Sequence, residues 1–428
     1  MADGASPDLP GPTSLRAVKL IGGGRALAHH DGATWMIRGG LPGELLRTLA
    51  TRRRAGVIEA EADEILADSH PARLVDPCPH SDTCGGCDWP HVDCKAGAPL
   101  KAVVAAESTG RYPDLSDRLR LAPVTPSPPS YRLRSRLHWD PRSEVLGFYG
   151  PRNRRVSPIS SCRIITSALL KALPALTQQL AARCPAPVDV EWIEGDDGAV
   201  AALRPAKGGP KTLPTEWIPA QGTGLGIVGF HRLTKRSRIV RGWGRVHVHM
   251  DLPIRLAVPV GAFFQGNRHL VRWLFDRVGE LIGPGVKPIF DIHGGVGFLA
   301  AAARQAGRKT LTVVEPHEPG AEAAEANLPG ARVVRSTAEA FLARADNLEA
   351  DATVIADPPR IGMSPELRSQ LAEWRPRRIL MLGCDPATWG RDTAFLIERD
   401  YRLTHLEMVD LFPFTHHVEI IAAMEVDR

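Results

Sequence analysis

Three stretches in the carboxyl-terminal half set reactive side chains just past apolar runs. Cys384 follows the run Arg378–Leu382 in Gly383-Cys384-Asp385-Pro386. Asp357 opens Asp357-Pro358-Pro359-Arg360 after an apolar run near Ala352. Glu419 ends the stretch that starts at Asp410-Leu411-Phe412-Pro413 and passes through His416 and His417. If these runs are strands of a parallel sheet, Cys384 sits at a carboxyl end, where such sheets gather their active sites. A thiolate there can add to an electron-poor carbon, and a carboxylate can take a proton from the adduct. A lone cysteine beside a strand is more often structural, so the assignment rests on the company it keeps.

A second constellation is the segment Pro288–Leu299, PIFDIHGGVGFL. It is a short apolar strand, a turn at Gly294, Gly295 and Gly297, and then an alanine-rich helix over Ala300–Ala306. Strand, glycine turn and helix make a ligand crevice. The next apolar run, Leu311–Val314, ends at Glu315, placed where an acidic residue accepts hydrogen bonds from ribose hydroxyls. The spacing is not the dinucleotide fingerprint G-x-G-x-x-G. That favours an adenosyl ligand without a pyrophosphate, and S-adenosylmethionine meets this description.

The third is a set of thiols. Cys78, Cys84 and Cys87, with Cys162 far downstream in SSCRI, supply four thiolates from two segments. Four thiolates hold either zinc or an iron-sulfur cluster, and the spacing does not choose between them. Cys94 and Cys184 have no matching role and are expected to be buried or incidental. An odd set of seven cysteines argues against a disulfide framework.

These groups need elements to hold them. From Leu15 to about Arg73 the chain is punctuated by glycine, with short alternating stretches at Ala17–Ile21, Thr34–Ile37, Glu44–Thr48 and Gly56–Ala60, the pattern of a small β-barrel. Leu41-Pro42-Gly43-Glu44 and the Gly22-Gly23-Gly24 run resemble a TRAM module, an OB-like RNA-binding barrel. The segment from His91 has helical composition, with Lys95 and Lys101 on it. From Tyr131 to Val258 strand-like alternation dominates (Tyr131–Trp139, Val188–Trp192, Arg238–Val248), predicting a mainly antiparallel sheet. After Pro259 strand and helix alternate, the sign of a doubly wound, Rossmann-like α/β domain, with strands near Ile289, Leu311, Ala352, Ile379 and Val418. The expected domains are a TRAM-like RNA-binding barrel over 13–73, a central thiol-bearing, RNA-binding domain over 74–258, whose helical segment 91–120 packs on the carboxyl-terminal domain, and the doubly wound domain over 259–428.

At 428 residues, two or three domains are expected. A content of 43% hydrophobic and 24% charged residues excludes disordered and fibrous classes. The acidic, Pro- and Gly-rich start Met1–Pro12 lacks a signal-peptide pattern and no apolar run of 18 residues occurs, so a cytoplasmic protein without membrane partners is expected. Net charge is only +5, but arginines cluster at Arg52–Arg54, at Arg132, Arg134 and Arg136, and at Arg152, Arg154 and Arg155, which suits phosphate contacts.

FFQGN at Phe263–Asn267, DPPRIG at Asp357–Gly362, GCDPATWGRD at Gly383–Asp392 and DLFPFTHHVE at Asp410–Glu419 resemble, in order, motifs of the RNA 5-methyluridine methyltransferases. With the barrel and the thiols, the resemblance covers nearly the whole chain and points to the iron-sulfur branch that acts on 23S rRNA. It implies that Cys384 attacks C6 of a uracil, that the adduct takes a methyl group at C5 from S-adenosylmethionine, and that Glu419 removes the C5 proton. It further implies that Asp357 lies near uracil and cofactor, that Gln265 binds cofactor with His293, Gly295, Gly297 and Glu315, and that Phe263 stacks on RNA. Cys78, Cys84, Cys87 and Cys162 then hold a [4Fe-4S] cluster, with zinc as the alternative, and the chain is a monomer on structured RNA. The target base must leave its stack, which favours loops.

The chain departs from the family at His293-Gly294, where an aromatic residue and a cysteine are common, and at Phe298-Leu299, where a polar-aromatic pair is common. It departs also at Gly383, where serine is common, and at Pro90, where glutamine is; Ser336 or Thr337 supplies the polar residue after the third strand. A tRNA target is one competing reading, and a non-catalytic RNA-binding or ribosome-assembly factor is another. A radical enzyme would need a C-x3-C-x2-C motif that is absent.

Overall fold

Alternation of small or apolar residues with polar ones drives the amino-terminal strands. Strands β1 (Thr13–Arg16), β2 (Lys19–Leu20), β3 (Ala26–His30), β4 (Ala33–Arg38), β5 (Leu45–Arg54) and β6 (Val57–Ala67) bury Leu15, Leu20, Ala26, Ala28, Trp35, Ile37, Leu46 and Ile58 on one face. This computed structural model describes residues 9–151, 153–207, 209, 213–217, 225–233, 236–241, 244–345 and 348–426, and of 215 and 225–241 only the backbone. Residues 1–8 of the acidic start, Arg152 of the third arginine cluster and residues 242–243 of the stretch expected as strand lie outside the described residues.

The amino-terminal sheet runs β1-β5-β6-β4-β3-β2. Its two end strands are halves of one segment, which turns at Ala17-Val18 so that β1 pairs with β5 and β2 with β3. The sheet therefore curls until both edges are supplied by the same stretch of chain. The LPGE turn follows: Gly43 takes φ +86°, a conformation that disfavours other residues. The buried Glu44 carboxylate accepts the Leu41 N–H at 2.7 Å and Arg73 Nε at 2.5 Å.

The next elements are helices α1 (Ala98–Ser108) and α2 (Pro113–Leu121), followed by β7 (Val124–Thr125). Their apolar faces, with Ala102, Ala105, Leu115 and Leu119, enter the same core as Ile379, Tyr401 and Met424. Strand β7 becomes the edge of the carboxyl-terminal sheet.

The central sheet has order β10-β9-β8-β11-β12-β13-β14, built from β8 (Arg134–Asp140), β9 (Val145–Tyr149), β10 (Val156–Pro158), β11 (Val188–Gly195), β12 (Gly198–Pro205), β13 (Leu225–Leu233) and β14 (Arg236–Arg241). All pairs are antiparallel except β12 with β13. The expected strand pattern missed one long helix here, α3 (Ser167–Arg183). Thr166 caps it by accepting the Leu169 N–H, and Leu169, Leu173, Leu176 and Leu180 form its buried stripe, spaced as a helix requires. A hairpin of β15 (Arg245–Val248) and β16 (Leu256–Pro259) then feeds Val246, Val248, Leu256 and Val258 into the core beneath α4 (Val271–Ile282).

The remaining chain alternates as expected, giving β17 (Ile289–Asp291), α5 (Phe298–Gln305), β18 (Leu311–Val314), α6 (Glu318–Asn327), β19 (Arg332–Val334), α7 (Ala338–Leu342), β20 (Thr353–Ala356), α8 (Pro365–Trp374), β21 (Arg378–Gly383), α9 (Pro386–Ile397), β22 (Tyr401–Val409) and β23 (Glu419–Val426). The sheet order is β19-β18-β17-β20-β21-β23-β22-β7. Strands β17 to β21 are parallel, whereas β23 is antiparallel to both β21 and β22. The chain order reverses between β17 and β20, and a crevice opens at the carboxyl ends of strands flanking such a point.

Candidate active site

The glycine turn lies at that reversal. Gly295 and Gly297 have φ +52° and +84°, and a Cβ on Gly294 would meet Val313 Cγ1 at 2.2 Å. Glycine at 294 thus lets the turn press onto β18, and glycine at 297 lets α5 start at once. The Glu315 carboxylate accepts the Gly295 N–H at 2.8 Å and the His317 N–H at 2.7 Å, which fixes it beside the turn. Under the turn lies Asp291, fully buried, with Oδ2 accepting the Ala300 N–H at 3.2 Å and Oδ1 without a partner. Burial, and then the Asp357 charge, push its carboxyl up to about 7.

Phe263, Gln265, His293, Gly294, Gly295 and Asp357 line one small cavity at this crevice. The structure thus brings together five nominated residues, with Gly297 on the same turn and Glu315 bonded to it from the end of β18. Gln265 Nε2 donates to Asp357 Oδ2 at 3.3 Å. Burial lowers the His293 imidazole to about 4, so it is neutral, and its Nδ1 has no partner. Phe263 stays 58% exposed at the rim, a placement open to a planar ligand rather than a core position. Phe298 and Leu299 form the buried apolar wall of the same cavity, and the Phe298 ring meets Phe264 edge-on at 5.5 Å.

Cys384 and Glu419 come together through strand register. In the β21–β23 ladder Gly383 opposes Ile420, so Cys384 and Glu419 face each other one rung further, just past the strand end. Asp357 follows β20, the other neighbour of β21. Burial first, then the Glu419 and Asp357 charges, raise the Cys384 thiol to about 12, and Arg360 pulls it back. Glu419 is pushed well above the usual carboxylate range by burial and by Asp357, and burial lifts Asp357 to about 7. The site thus rests as a neutral thiol beside carboxyls that hold protons near neutrality. Gly383 has its own reason: a Cβ there would meet Trp389 Cδ1 at 2.8 Å, so the indole fills the space a serine would take.

Around the cysteine-rich loop, Cys78, Cys84, Cys87 and Cys162 line a single cavity walled by Phe148, Ile164 and Phe414. The Gly86 N–H points to Cys84 Sγ at 3.4 Å. Cys94 lies outside this cavity, and Cys184 ends α3, buried, with Sγ at 3.4 Å from the Ala186 carbonyl. The loop is tied to the loop before β23: the Trp89 N–H donates to the Phe414 carbonyl at 2.9 Å, and Asp88 Oδ1 accepts the His416 N–H at 3.0 Å.

Sequence reasoning did not nominate Asp291, Arg360 or Lys101. Asp291 was findable as the last strand residue before a glycine turn, and Arg360 as the cation within a motif already singled out. Lys101 had no local signal, because its partner Asp410 is 309 residues away.

A family model described as tRNA (Uracil-5-)-methyltransferase matches residues 343–425, the span holding Asp357, Cys384 and Glu419. The 23S rRNA (uracil(1939)-C(5))-methyltransferase of Alkalilimnicola ehrlichii is 31% identical over 97% of this chain and 96% of its own length. The enzyme of the same description from Pseudomonas entomophila is 28% identical over 95% and 92%. Among solved structures, the Pyrococcus abyssi tRNA (uracil-54, C5)-methyltransferase in complex with S-adenosyl-L-homocysteine superposes with a TM-score of 0.72 over 96% of this chain and 99% of that one, at 21% identity. At that identity the likeness is one of fold. By near full-length similarity to enzymes of one activity, the chain belongs to the S-adenosylmethionine-dependent RNA (uracil-5-)-methyltransferase family.

Proposed function

We propose that the substrate is a uridine of 23S rRNA, methylated at C5 through a covalent Cys384 adduct. The observation that carries the mechanism is the convergence of Cys384, Glu419 and Asp357 at one sheet end. The rRNA target is supported by relatives of that description whose similarity spans nearly the whole chain. Full-length matching matters because the amino-terminal sheet and thiol loop are where RNA context is read. That sheet, closing on one segment, supports the TRAM reading, and Arg52–Arg54 are exposed at the tip of its β5–β6 hairpin.

Uracil C5 is a weak nucleophile until a group adds at C6. Cys384 sulfur bonds to C6 while its proton passes to Asp357, and the 5,6 π electrons move to C5 and O4. Bound S-adenosylmethionine supplies an electrophilic methyl group, which C5 takes as the S–CH3 bond breaks. Glu419, acting from its ionised form, then accepts the C5 proton, the C–H electrons restore the 5,6 double bond, and the C6–S pair returns to sulfur, which takes back its proton from Asp357. A carboxylate with a raised proton affinity is the better base for this step. Arg360 favours the thiolate, and Phe263 offers a stacking face to the flipped base. Gln265, His293, Gly295, Gly297, Glu315 and Asp357 would hold the cofactor, Glu315 accepting from its ribose.

The four thiols suit a [4Fe-4S] cluster. Burial pushes the Cys84, Cys87 and Cys162 thiols up, and their neighbours' charges add to this, so only bound metal cations would release all the protons. Tetrahedral zinc needs sulfurs about 3.8 Å apart. Among the described residues the metal-ligand group closing within 4.8 Å is Asp88, His416 and His417, not the thiols, which supports the larger cluster.

The test is anaerobically purified protein with methyl-labelled S-adenosylmethionine and unmodified 23S rRNA or tRNA transcripts, beside Cys384→Ala and Glu419→Gln, with iron and sulfide assayed. 5-Methyluridine in rRNA with wild type, none with Cys384→Ala and a covalent protein–RNA adduct with Glu419→Gln support the reading. Methylation of tRNA alone, or by Cys384→Ala, refutes it.

A further inference from the structure

Glu419 is the first residue of β23, and the chain reaches it through the loop 410–418, which leaves β22 at Val409, the residue paired with Glu419 itself. The position of Glu419 therefore depends on how that loop is closed.

Lys101, on α1, is buried at 2% exposure. Its ammonium donates to Asp410 Oδ1 at 2.5 Å, to the Phe412 carbonyl at 3.0 Å and to the His417 carbonyl at 2.9 Å. An ammonium has three donors, and all three are used. Two of the acceptors lie where the loop begins, and the third lies two residues before Glu419. Lys101 thus joins the two ends of the loop, whereas the loop's other anchors each hold a single point between them: Asn267 Nδ2 at the Leu411 carbonyl, 3.1 Å, Tyr131 Oη at the Pro413 carbonyl, 3.3 Å, the Trp89 N–H at the Phe414 carbonyl, 2.9 Å, and Asp88 Oδ1 at the His416 N–H, 3.0 Å. Asp410 is fixed in turn, its N–H donating to the Thr125 carbonyl at 2.8 Å and its Oδ1 accepting the Phe412 N–H at 3.0 Å. Burial lowers the pKa of Lys101 and raises that of Asp410, and at each the partner's charge and hydrogen bond oppose burial. So costly a pair is weak evidence of stability but sets one geometry.

We propose that Lys101 is a positioning residue for the reaction, clamping both ends of the 410–418 loop so that Glu419 meets the C5 proton of the methylated adduct. This rests on the role of Glu419 proposed above. The clamp predicts a particular failure: addition and methyl transfer use Cys384 and the cofactor crevice, which lie on other elements, so its loss stalls proton removal and traps the adduct.

The test uses the full-length holoprotein with Lys101→Met, and with the double variant Lys101→Met/Asp410→Asn, which leaves no bare carboxylate in the core. Turnover on the transcript that wild type methylates is read beside S-adenosylmethionine affinity and the fraction of RNA bound covalently and methylated on denaturing gels. Turnover is expected to fall about 100-fold in the double variant, as displacement by about 1 Å can cause, with a methylated adduct accumulating and cofactor affinity within about threefold of wild type, that crevice lying on other elements. Unchanged turnover overturns the proposal, and so does lost turnover without adduct, which marks a merely structural pair. Glu419→Gln is run alongside: if it traps adduct and the double variant does not, the clamp alone falls. If Glu419→Gln traps none, the base assignment falls and the clamp with it.

Discussion

Replacing Asp291 by asparagine isolates a single buried proton. The folded carboxyl is raised to about 7 from an ordinary 3.8, by burial first and by the Asp357 charge second. Because the folded pKa is the higher, the stability linked to this proton is fully present below 3.8 and is lost as pH rises through 7. Near pH 5 the folded chain keeps the proton and the unfolded chain has mostly lost it; near pH 8 both have lost it. At about 1.4 kcal/mol per pH unit, wild type should lose about 2–3 kcal/mol over that interval through this group. Asparagine binds no proton in either state and can keep its oxygen on the Ala300 N–H, so the variant lacks this slope. Urea unfolding near pH 5 and near pH 8 should show the variant gaining on wild type by about 2–3 kcal/mol at the higher pH. A stability difference that stays the same at both pH values refutes the assignment of a raised, buried carboxyl beneath the glycine turn.

Turnover should rise with pH through a midpoint near 7, as Asp357 gives up its proton and can receive that of Cys384; a flat single-turnover rate from pH 5.5 to about 8.5 would exclude it from that role. Replacing Arg52, Arg53 and Arg54 by alanine should lower the slope of log affinity for RNA against log salt by about 2, with S-adenosylmethionine affinity unchanged, because each phosphate contact contributes about 0.7 to 0.9. A salt slope equal to that of wild type would remove the hairpin tip from the RNA interface.

What could be read from the sequence was whatever is local in the chain. The glycine turn carries its strand and helix with it, so Gly295, Gly297 and Glu315 could be placed before any fold was known. Cys384 and Glu419 could be named from their motifs, but not their meeting, which needs β23 to insert antiparallel beside β21. Helix α3 was legible in principle, since Leu169, Leu173, Leu176 and Leu180 keep helical spacing. The alternating strands around it and Pro174 within it masked that period. Strand β22 escaped. It interleaves polar residues, exposed Arg402 and Thr404, half-buried His405 and buried Glu407, with its apolar ones. The Lys101 contacts were beyond reach, because nothing near a lysine in a helix reports an aspartate 309 residues away.

The edge strand β7 and helices α1 and α2 have a bearing on how the molecule is made. They are made well before the carboxyl-terminal surface that buries them: Lys101 must wait for Asp410, 309 residues later. At about 5–20 residues per second that delay is about 15–60 s. For this time Ala102, Ala105, Leu115 and Leu119 are left without their final partners, while the amino-terminal sheet has all its strands and can close against Val104. The newborn chain thus carries a finished amino-terminal sheet next to a carboxyl-terminal sheet that is completed only when β22 and β23 are released.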